Sequence, residues 1–169
     1  MTRNRPPARE PANPTQRAIR QLTPFRSRGQ EAVIALLLAA EAVRNRLAAL
    51  LGTRDDITLQ QYNVLRILRG AGGDGLPTLA IVERMIEQTP GITRLIDRLE
   101  SKRLVERHRG AGDRRQVWCR ITADGLRLLA ELDPPVDAFD DEVLACLGAR
   151  EQTTLIELLV RLREHQAKP

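Results

Sequence analysis

The segment from residue 89 to residue 122 constrains the fold of this chain more than any other part of the sequence. It opens with Thr89 and Pro90, a pair typical of a helix N-cap and of the first helical position. Apolar residues then recur at the spacing of an amphipathic helix. These residues are Ile92, Leu95, Ile96 and Leu99. Two strand patterns follow, at 104–109 and 116–121, so the segment predicts a helix that runs directly into a β-hairpin.

Helices are also predicted before this segment. A helix from 30 to 51 is rich in Ala and Leu, and Gly52 after it is a typical C-cap. Its first half is apolar on nearly all sides, so we expect a second chain to cover it. Thr58 and Gln61 form a capping box that starts the next helix, on which Tyr62, Leu65 and Leu68 lie near one stripe. A short helix from 77 to 86 follows, and its expected inward side chains are Leu79, Val82 and Ile86.

The sequence after the hairpin is helical as well. Thr122 is an N-cap for a helix to about residue 132, which Pro134 and Pro135 are expected to interrupt or kink. A last helix is predicted from 150 to 165, with its leucines on one stripe. These leucines are Leu155, Leu158, Leu159 and Leu162. The predicted fold class is therefore mainly α with a small β-hairpin.

Basic charge is concentrated in two parts of the chain. The net charge is +5, to which residues 1–30 contribute +6 and residues 89–121 contribute +5, whereas residues 122–169 carry −5. This separation is typical of a protein with a nucleic-acid partner. Because almost all the basic residues are arginines, a solvated Arg-rich surface is equally compatible with the charge alone.

The helix that starts near residue 89 carries groups suited to DNA. Arg94 and Arg98 lie one turn apart on its polar face, and arginine can bind guanine edges through two hydrogen bonds. Arg114 and Arg115 in the hairpin turn could enter a minor groove, where the negative potential is enhanced. An ordinary surface helix with solvated arginines is the alternative. Small residues in the first turn would permit close approach to DNA, and these are Thr89, Pro90 and Gly91.

No constellation for catalysis, metal binding or cofactor binding is predicted. The glycines at 70–75 match a dinucleotide-binding pattern, but a helix precedes them where that pattern needs a strand. Cys119 and Cys146 lack metal-ligand spacing, and Cys119 is interpreted as a small buried side chain, although thiol sensing stays open. The chain has no signal-peptide pattern and no apolar run long enough for a membrane span, so a cytoplasmic location is expected.

The motifs from 58 to 130 together resemble the winged helix-turn-helix of the MarR family of bacterial transcription regulators. The resemblance rests on Thr-Pro-Gly-Ile-Thr-Arg-Leu-Ile-Asp-Arg-Leu at 89–99, Gly-Asp-Arg-Arg-Gln-Val at 112–117 and Ile-Thr-Ala-Asp-Gly at 121–125. It implies a homodimeric repressor that binds a pseudo-palindromic operator in double-stranded DNA. It further implies a response to a small aromatic or anionic effector, for which Tyr62 is the one candidate residue.

The resemblance also implies which residues contact DNA. Thr89 to Arg98 fall on the recognition helix, and Asp113 with Arg115 fall on the Asp-x-Arg signature of the wing. The predicted DNA-contacting residues are Thr89, Pro90, Gly91, Thr93, Arg94, Arg98, Arg109, Asp113, Arg114 and Arg115. Because the chain has no cysteine before residue 60, peroxide sensing through a cysteine near the first helix is not expected.

The expected organisation has four parts: a flexible basic tail at 1–28, a dimerisation helix at 29–57, the winged helix-turn-helix at 58–122, and a C-terminal linker with dimerisation helices at 123–169. The tail either contacts DNA phosphates or is simply disordered. A winged helix that binds an acidic protein partner instead of a specific DNA sequence is the alternative function.

Overall fold

The computed structural model describes residues 13–55, 57–86, 91–109 and 116–167. In order along the chain, the elements are α1 (Pro14–Ala18), α2 (Arg28–Asp55), α3 (Leu59–Ala71), β1 (Leu76–Pro77), α4 (Thr78–Arg84), α5 (Ile92–Ser101), β2 (Val105–Arg109), β3 (Val117–Ile121), α6 (Ala123–Leu144) and α7 (Ala149–Gln166). The chain divides into two compact units, Met1–Arg46 and Leu47–Pro169. The predicted class, mainly helical with a small sheet, is confirmed.

The first unit contains α1 and most of α2. Asn13 caps α1 by accepting a hydrogen bond from the Gln16 amide at 2.8 Å, and the buried side chain of Gln16 donates to the carbonyl of Thr23 at 2.8 Å. None of residues 28–46 is buried, and several large apolar side chains of α2 are exposed. These are Val33, Leu36, Leu37 and Val43.

Helix α2 extends further than the sequence predicts. It runs through Gly52 to Asp55, so the prediction that Gly52 ends the helix is wrong. Glycine inside a helix costs about 1 kcal/mol relative to alanine. Burial of the Leu51 side chain in the core of the second unit offsets this cost.

The second unit holds one hydrophobic core. Helix α3 starts at the predicted capping box and supplies Tyr62, Leu65 and Leu68, all buried as expected. Three strands form an antiparallel sheet in the order β1-β3-β2. Strand β1 has only two residues, which is too short to produce a recognisable pattern in the sequence. Gly75 just before it has a φ of 74°, and an added Cβ would lie 2.2 Å from the Cys119 carbonyl oxygen. A side chain at this position is therefore excluded.

The short helix α4 differs from its prediction. Ile81 is its fully buried residue, whereas Leu79 is 70% exposed and Ile86 is 86% exposed. The helix begins at Thr78 because Pro77 is still paired with Trp118 in the sheet. A helix of seven residues is too short for apolar periodicity to determine which face points inward.

Helix α6 also departs from its prediction. Thr122 caps it as expected, accepting a hydrogen bond from the Gly125 amide at 3.1 Å. The helix then continues through Pro134 and Pro135, so it is not interrupted there, and a kink at this point stays a prediction. A proline inside a helix removes a backbone hydrogen-bond donor, which costs about 3 kcal/mol when no packing compensates for it. Tertiary packing offsets that cost, because the helix buries side chains on both sides of the two prolines. These are Leu128, Leu129, Leu132, Val136 and Phe139.

Helix α7 has a single predicted stripe of leucines but no buried residue at all. Large apolar side chains are exposed along it, and these are Ile156, Leu158, Leu159, Val160 and Leu162. No helix in the described part of the chain combines the length and hydropathy needed to cross a membrane.

Candidate nucleic-acid interface

Helix α5 separates an apolar face from a polar one. Ile96 and Leu99 are fully buried, and Ile92 and Leu95 pack against the core, as the sequence predicts. The opposite face is polar and carries Thr93, Arg94, Asp97, Arg98 and Ser101, all of them exposed. The core therefore holds the helix by one side and presents the other side to a partner.

The start of α5 lies later than predicted. Its N-cap is Gly91, with a left-handed φ of 94°, and the first helical residue is Ile92. The predicted cap Thr89 and the following Pro90 lie outside the described residues. Gly91 is exposed, and a Cβ built on it would have no described atom within 4 Å. The described part of the first turn is therefore open to a large partner.

Arg107 on β2 connects α5 to the sheet. Its guanidinium lies 2.6 Å from a carboxylate oxygen of Asp97 and 2.9 Å from one of Glu100, and it donates to the Thr93 carbonyl at 3.2 Å. These partners span two turns of α5. Because one planar group binds all three, it fixes the helix against the first strand of the hairpin. Arg107 thereby offsets one of the two negative charges of Asp97 and Glu100, while Arg94 and Arg98 form no ion pair with a described residue.

The environment of Arg107 keeps it cationic. Partial burial lowers the pKa of its guanidinium, but the hydrogen bond to Asp97 and the charges of Asp97 and Glu100 outweigh this and raise the pKa above its ordinary value. This residue was not predicted from the sequence. A detectable signal was present, because two carboxylates three residues apart on α5 precede an arginine on the next strand.

Strands β2 and β3 form the base of the predicted wing. Their register pairs Val105 with Ile121 at one end and Arg109 with Val117 at the other. Arg109 is exposed at the end of β2, next to the turn. Val117 is 45% exposed at the start of β3, whereas Cys119 is fully buried and Ile121 is 9% exposed. The predicted wing contacts Asp113, Arg114 and Arg115 lie outside the described residues.

Two further ion pairs connect elements of the second unit. Glu106 and Arg120 face each other across the two strands and form an ion pair. Arg69 of α3 binds Asp133 of α6 through two hydrogen bonds of 2.6 and 3.0 Å. The first pair joins β2 to β3, and the second joins α3 to α6.

Tyr62 and Cys119 are placed as core residues. Tyr62 is 4% exposed, and burial raises the pKa of its phenol. It lines neither of two surface grooves of about 260 and 450 Å³ in the second unit, and its role toward an effector stays a prediction. Cys119 is fully buried, as the sequence indicates. Within the described residues, no group of three or more His, Cys, Asp or Glu is placed to hold a metal ion.

This arrangement defines a winged helix-turn-helix protein. Helices α4 and α5 form the helix-turn-helix, and the β2–β3 hairpin follows the exposed helix as a wing. Residues 55–116 match the model of the MarR family. The transcriptional regulator HosA of Escherichia coli O157:H7 is 31% identical over 63% of this chain and 78% of its own length.

Solved structures give the same result. A MarR transcription factor from Planctomyces limnophilus is 37% identical, with a TM-score of 0.63, over 80% of this chain and 98% of its own. A mutant of Escherichia coli MarR, in a complex with operator DNA, is 26% identical, with a TM-score of 0.68, over 76% of this chain and 90% of its own. The chain belongs to the MarR family and is a transcriptional regulator. It is not an enzyme, as the sequence indicates.

Proposed function

We propose that this protein is a homodimeric repressor that binds a pseudo-palindromic operator. Helix α5 enters the major groove and the wing reaches the adjacent minor groove. The observation that carries this proposal is the exposed face of α5. Within the described chain, Arg94 and Arg98 have no carboxylate partner there, while Arg107 binds Asp97 and Glu100. The Escherichia coli MarR structure with operator DNA supports the choice of partner. A DNA target is also in keeping with the expected cytoplasmic location.

The charges on α5 suit DNA better than a protein partner. Arginine side chains that can bind guanine edges lie one turn apart, and each good pair contributes about 1–3 kcal/mol of discrimination. The open first turn at Gly91 would let backbone N–H groups approach a phosphate closely. A partner protein with acidic residues would satisfy the charges but would not need this close backbone approach.

Two exposed apolar surfaces support a homodimer. One lies on α2 in the first unit and the other on α7 in the second. Large apolar patches on a soluble chain mark interaction sites. In a two-fold dimer the recognition helices bind half-sites with centres about 34–36 Å apart. The effector response expected from the family resemblance stays a prediction.

The function is tested by selecting bound fragments from a random genomic DNA library. Recovery of an inverted repeat with half-sites one helical turn apart supports the proposal. Recovery of no preferred sequence would favour the protein-interaction alternative. The selected fragment then serves as the probe for variants.

The wing is tested with Arg115→Ala. We expect this variant to bind the selected operator at least about tenfold more weakly and with a smaller salt dependence, because one minor-groove cation is lost. Arg150→Ala on α7 removes the same charge far along the sequence and serves as the control. A gel-shift titration that gives equal affinity for Arg115→Ala and wild type would remove the wing from the mechanism.

A further inference from the structure

Val117, the first residue of β3, places an apolar side chain at the surface of the wing. It is 45% exposed, whereas Cys119 and Ile121 on the same face of the strand are buried. The Thr78 hydroxyl at the start of α4 donates a hydrogen bond to the Val117 carbonyl at 3.2 Å. The backbone of Val117 is therefore held both by the sheet and by α4, while much of its side chain stays open to a partner.

The register of the hairpin shows which face of the sheet carries this side chain. Side chains alternate along a strand, and directly paired residues of antiparallel strands lie on one face. Val117 is paired with Arg109, and Cys119 is paired with Arg107. The Arg107 guanidinium lies 2.6 Å from the carboxylate of Asp97 on α5. Val117 and Arg109 therefore extend from the same face as the residue that contacts the recognition helix.

The contacts between β2 and α5 also show which end of the helix lies near Val117. Just before β2, the Leu104 amide donates to the Leu99 carbonyl at 2.9 Å. Further along the strand, Arg107 donates to the Thr93 carbonyl at 3.2 Å, nearer to the start of the helix. Strand and helix thus run in opposite directions. The pair that contains Val117 comes next along the strands, toward the hairpin turn and the first turn of α5.

In the proposed complex, one strand of the DNA passes this end of the protein. Helix α5 occupies the major groove and the wing reaches the adjacent minor groove, so the sugar-phosphate strand that separates the two grooves runs between them. Side chains on the α5 side of the hairpin, close to its turn, face that strand. Arg109 is exposed there and offers a cation to a phosphate. Val117 beside it offers an apolar surface, which suits the C–H groups of a deoxyribose.

We infer that Val117 packs against a deoxyribose of the strand between the two grooves, next to a phosphate bound by Arg109. This inference rests on the proposed function and adds an uncharged contact beside the arginines of the interface. Contacts to sugar and phosphate fix the register of a protein on the duplex and carry no sequence information. Val117 is thus a positioning residue, which determines where the wing meets the DNA backbone.

The test is hydroxyl-radical footprinting on the operator recovered in the selection, because the radical attacks exposed deoxyribose hydrogens at each nucleotide. Val117→Ala removes the apolar surface, whereas Val117→Thr keeps the branched shape that suits a strand. Leu126→Ala is the matched control, since Leu126 is 44% exposed but lies on α6, beyond the end of the hairpin away from its turn. Operator affinity over a series of salt concentrations and thermal unfolding are measured in parallel.

We expect Val117→Ala to bind the operator about threefold or more weakly, because apolar contact is lost at both half-sites. The sugars that Val117 covers should become more reactive, and the rest of the footprint should be unchanged. The salt slope should equal that of wild type, since no charge is lost. Arg109→Gln, in contrast, should lower the slope by about one per lost contact. Val117→Thr should keep the wild-type footprint, and Leu126→Ala should match wild type throughout.

Three results would overturn the inference. If Val117→Ala has wild-type affinity and footprint and only its unfolding temperature falls, the valine serves the strand alone. A lower salt slope in Val117→Ala would show that the substitution displaces charged groups, which excludes a separate sugar contact. An equal loss of affinity in Leu126→Ala would show a general effect of apolar truncation. If the wild-type protein selects no preferred DNA sequence, the proposed function itself fails, and this is seen before any variant is made.

Discussion

At the scale of single residues, the two cysteines have opposite environments. Cys119 is fully buried on β3, whereas Cys146 after α6 is exposed. Burial raises the pKa of the Cys119 thiol, and the Thr78 hydroxyl, 3.9 Å from its sulfur, and Arg107 offset this only in part. Because the thiolate is the reactive form, a raised pKa lowers reactivity at neutral pH. The structure therefore opposes thiol sensing at Cys119.

This contrast is measured with a chromogenic thiol reagent. At neutral pH we expect one reactive thiol per chain in the native protein and two after unfolding, since the chain has two cysteines. Cys146→Ser should remove the fast native reaction, and Cys119→Ser should leave it intact. Rapid modification in native Cys146→Ser protein would show that Cys119 is accessible and would reopen a sensing role.

At the scale of elements, Arg107 joins α5 to β2. The predicted consequence of Arg107→Gln is a looser recognition helix with two uncompensated carboxylates, Asp97 and Glu100, near the DNA. Because these carboxylates are about half exposed, the free energy of unfolding should fall by only about 1 kcal/mol. Operator affinity should fall further than this, since the carboxylates now repel phosphate.

Denaturant unfolding and gel-shift titration measure the two effects separately. Arg120→Gln is the matched control because it breaks the Glu106–Arg120 pair on the same sheet, away from α5. Compared with Arg107→Gln, this control should lower the free energy of unfolding by a similar or smaller amount. It should lower operator affinity much less. If the Arg107→Gln variant binds the operator with wild-type affinity, the ion pairs do not position α5.

The elements also show where sequence patterns suffice. The faces of α3 and α5 were predicted correctly because their apolar residues recur over several turns at one clear spacing. Patterns failed at α4, where seven residues fit more than one inward face. They failed at Pro134 and Pro135, because local propensity ignores the packing of Leu132 and Val136. Arg107 was missed because its partners lie on another element.

At the scale of the whole molecule, the exposed apolar residues of α7 make a dimer testable. The mass of one chain is 19.0 kDa, and we expect the sedimentation of the wild-type protein to give a particle of twice that mass. Leu159→Asp places a carboxylate on the predicted leucine stripe, where it would be buried unpaired in an interface. This variant should dissociate at micromolar concentration, as measured by analytical ultracentrifugation.

Thr153→Asp is the control for this experiment. Thr153 is exposed on the side of the same helix opposite the leucine stripe, so its variant adds the same charge outside that stripe. It should remain dimeric. A wild-type protein that sediments as a single chain would refute the dimer. If Leu159→Asp and wild type have the same mass, another surface forms the interface.

Periodicity and capping are local properties of the chain, and they were enough to predict the fold class, the order of the helices and hairpin, and the exposed arginine face of α5. Local patterns did not reveal which residue binds Asp97 and Glu100, why α6 continues through two prolines, or where β1 joins the sheet. Each of these depends on contacts between residues far apart in the sequence. Their energies appear only when the core brings the elements together.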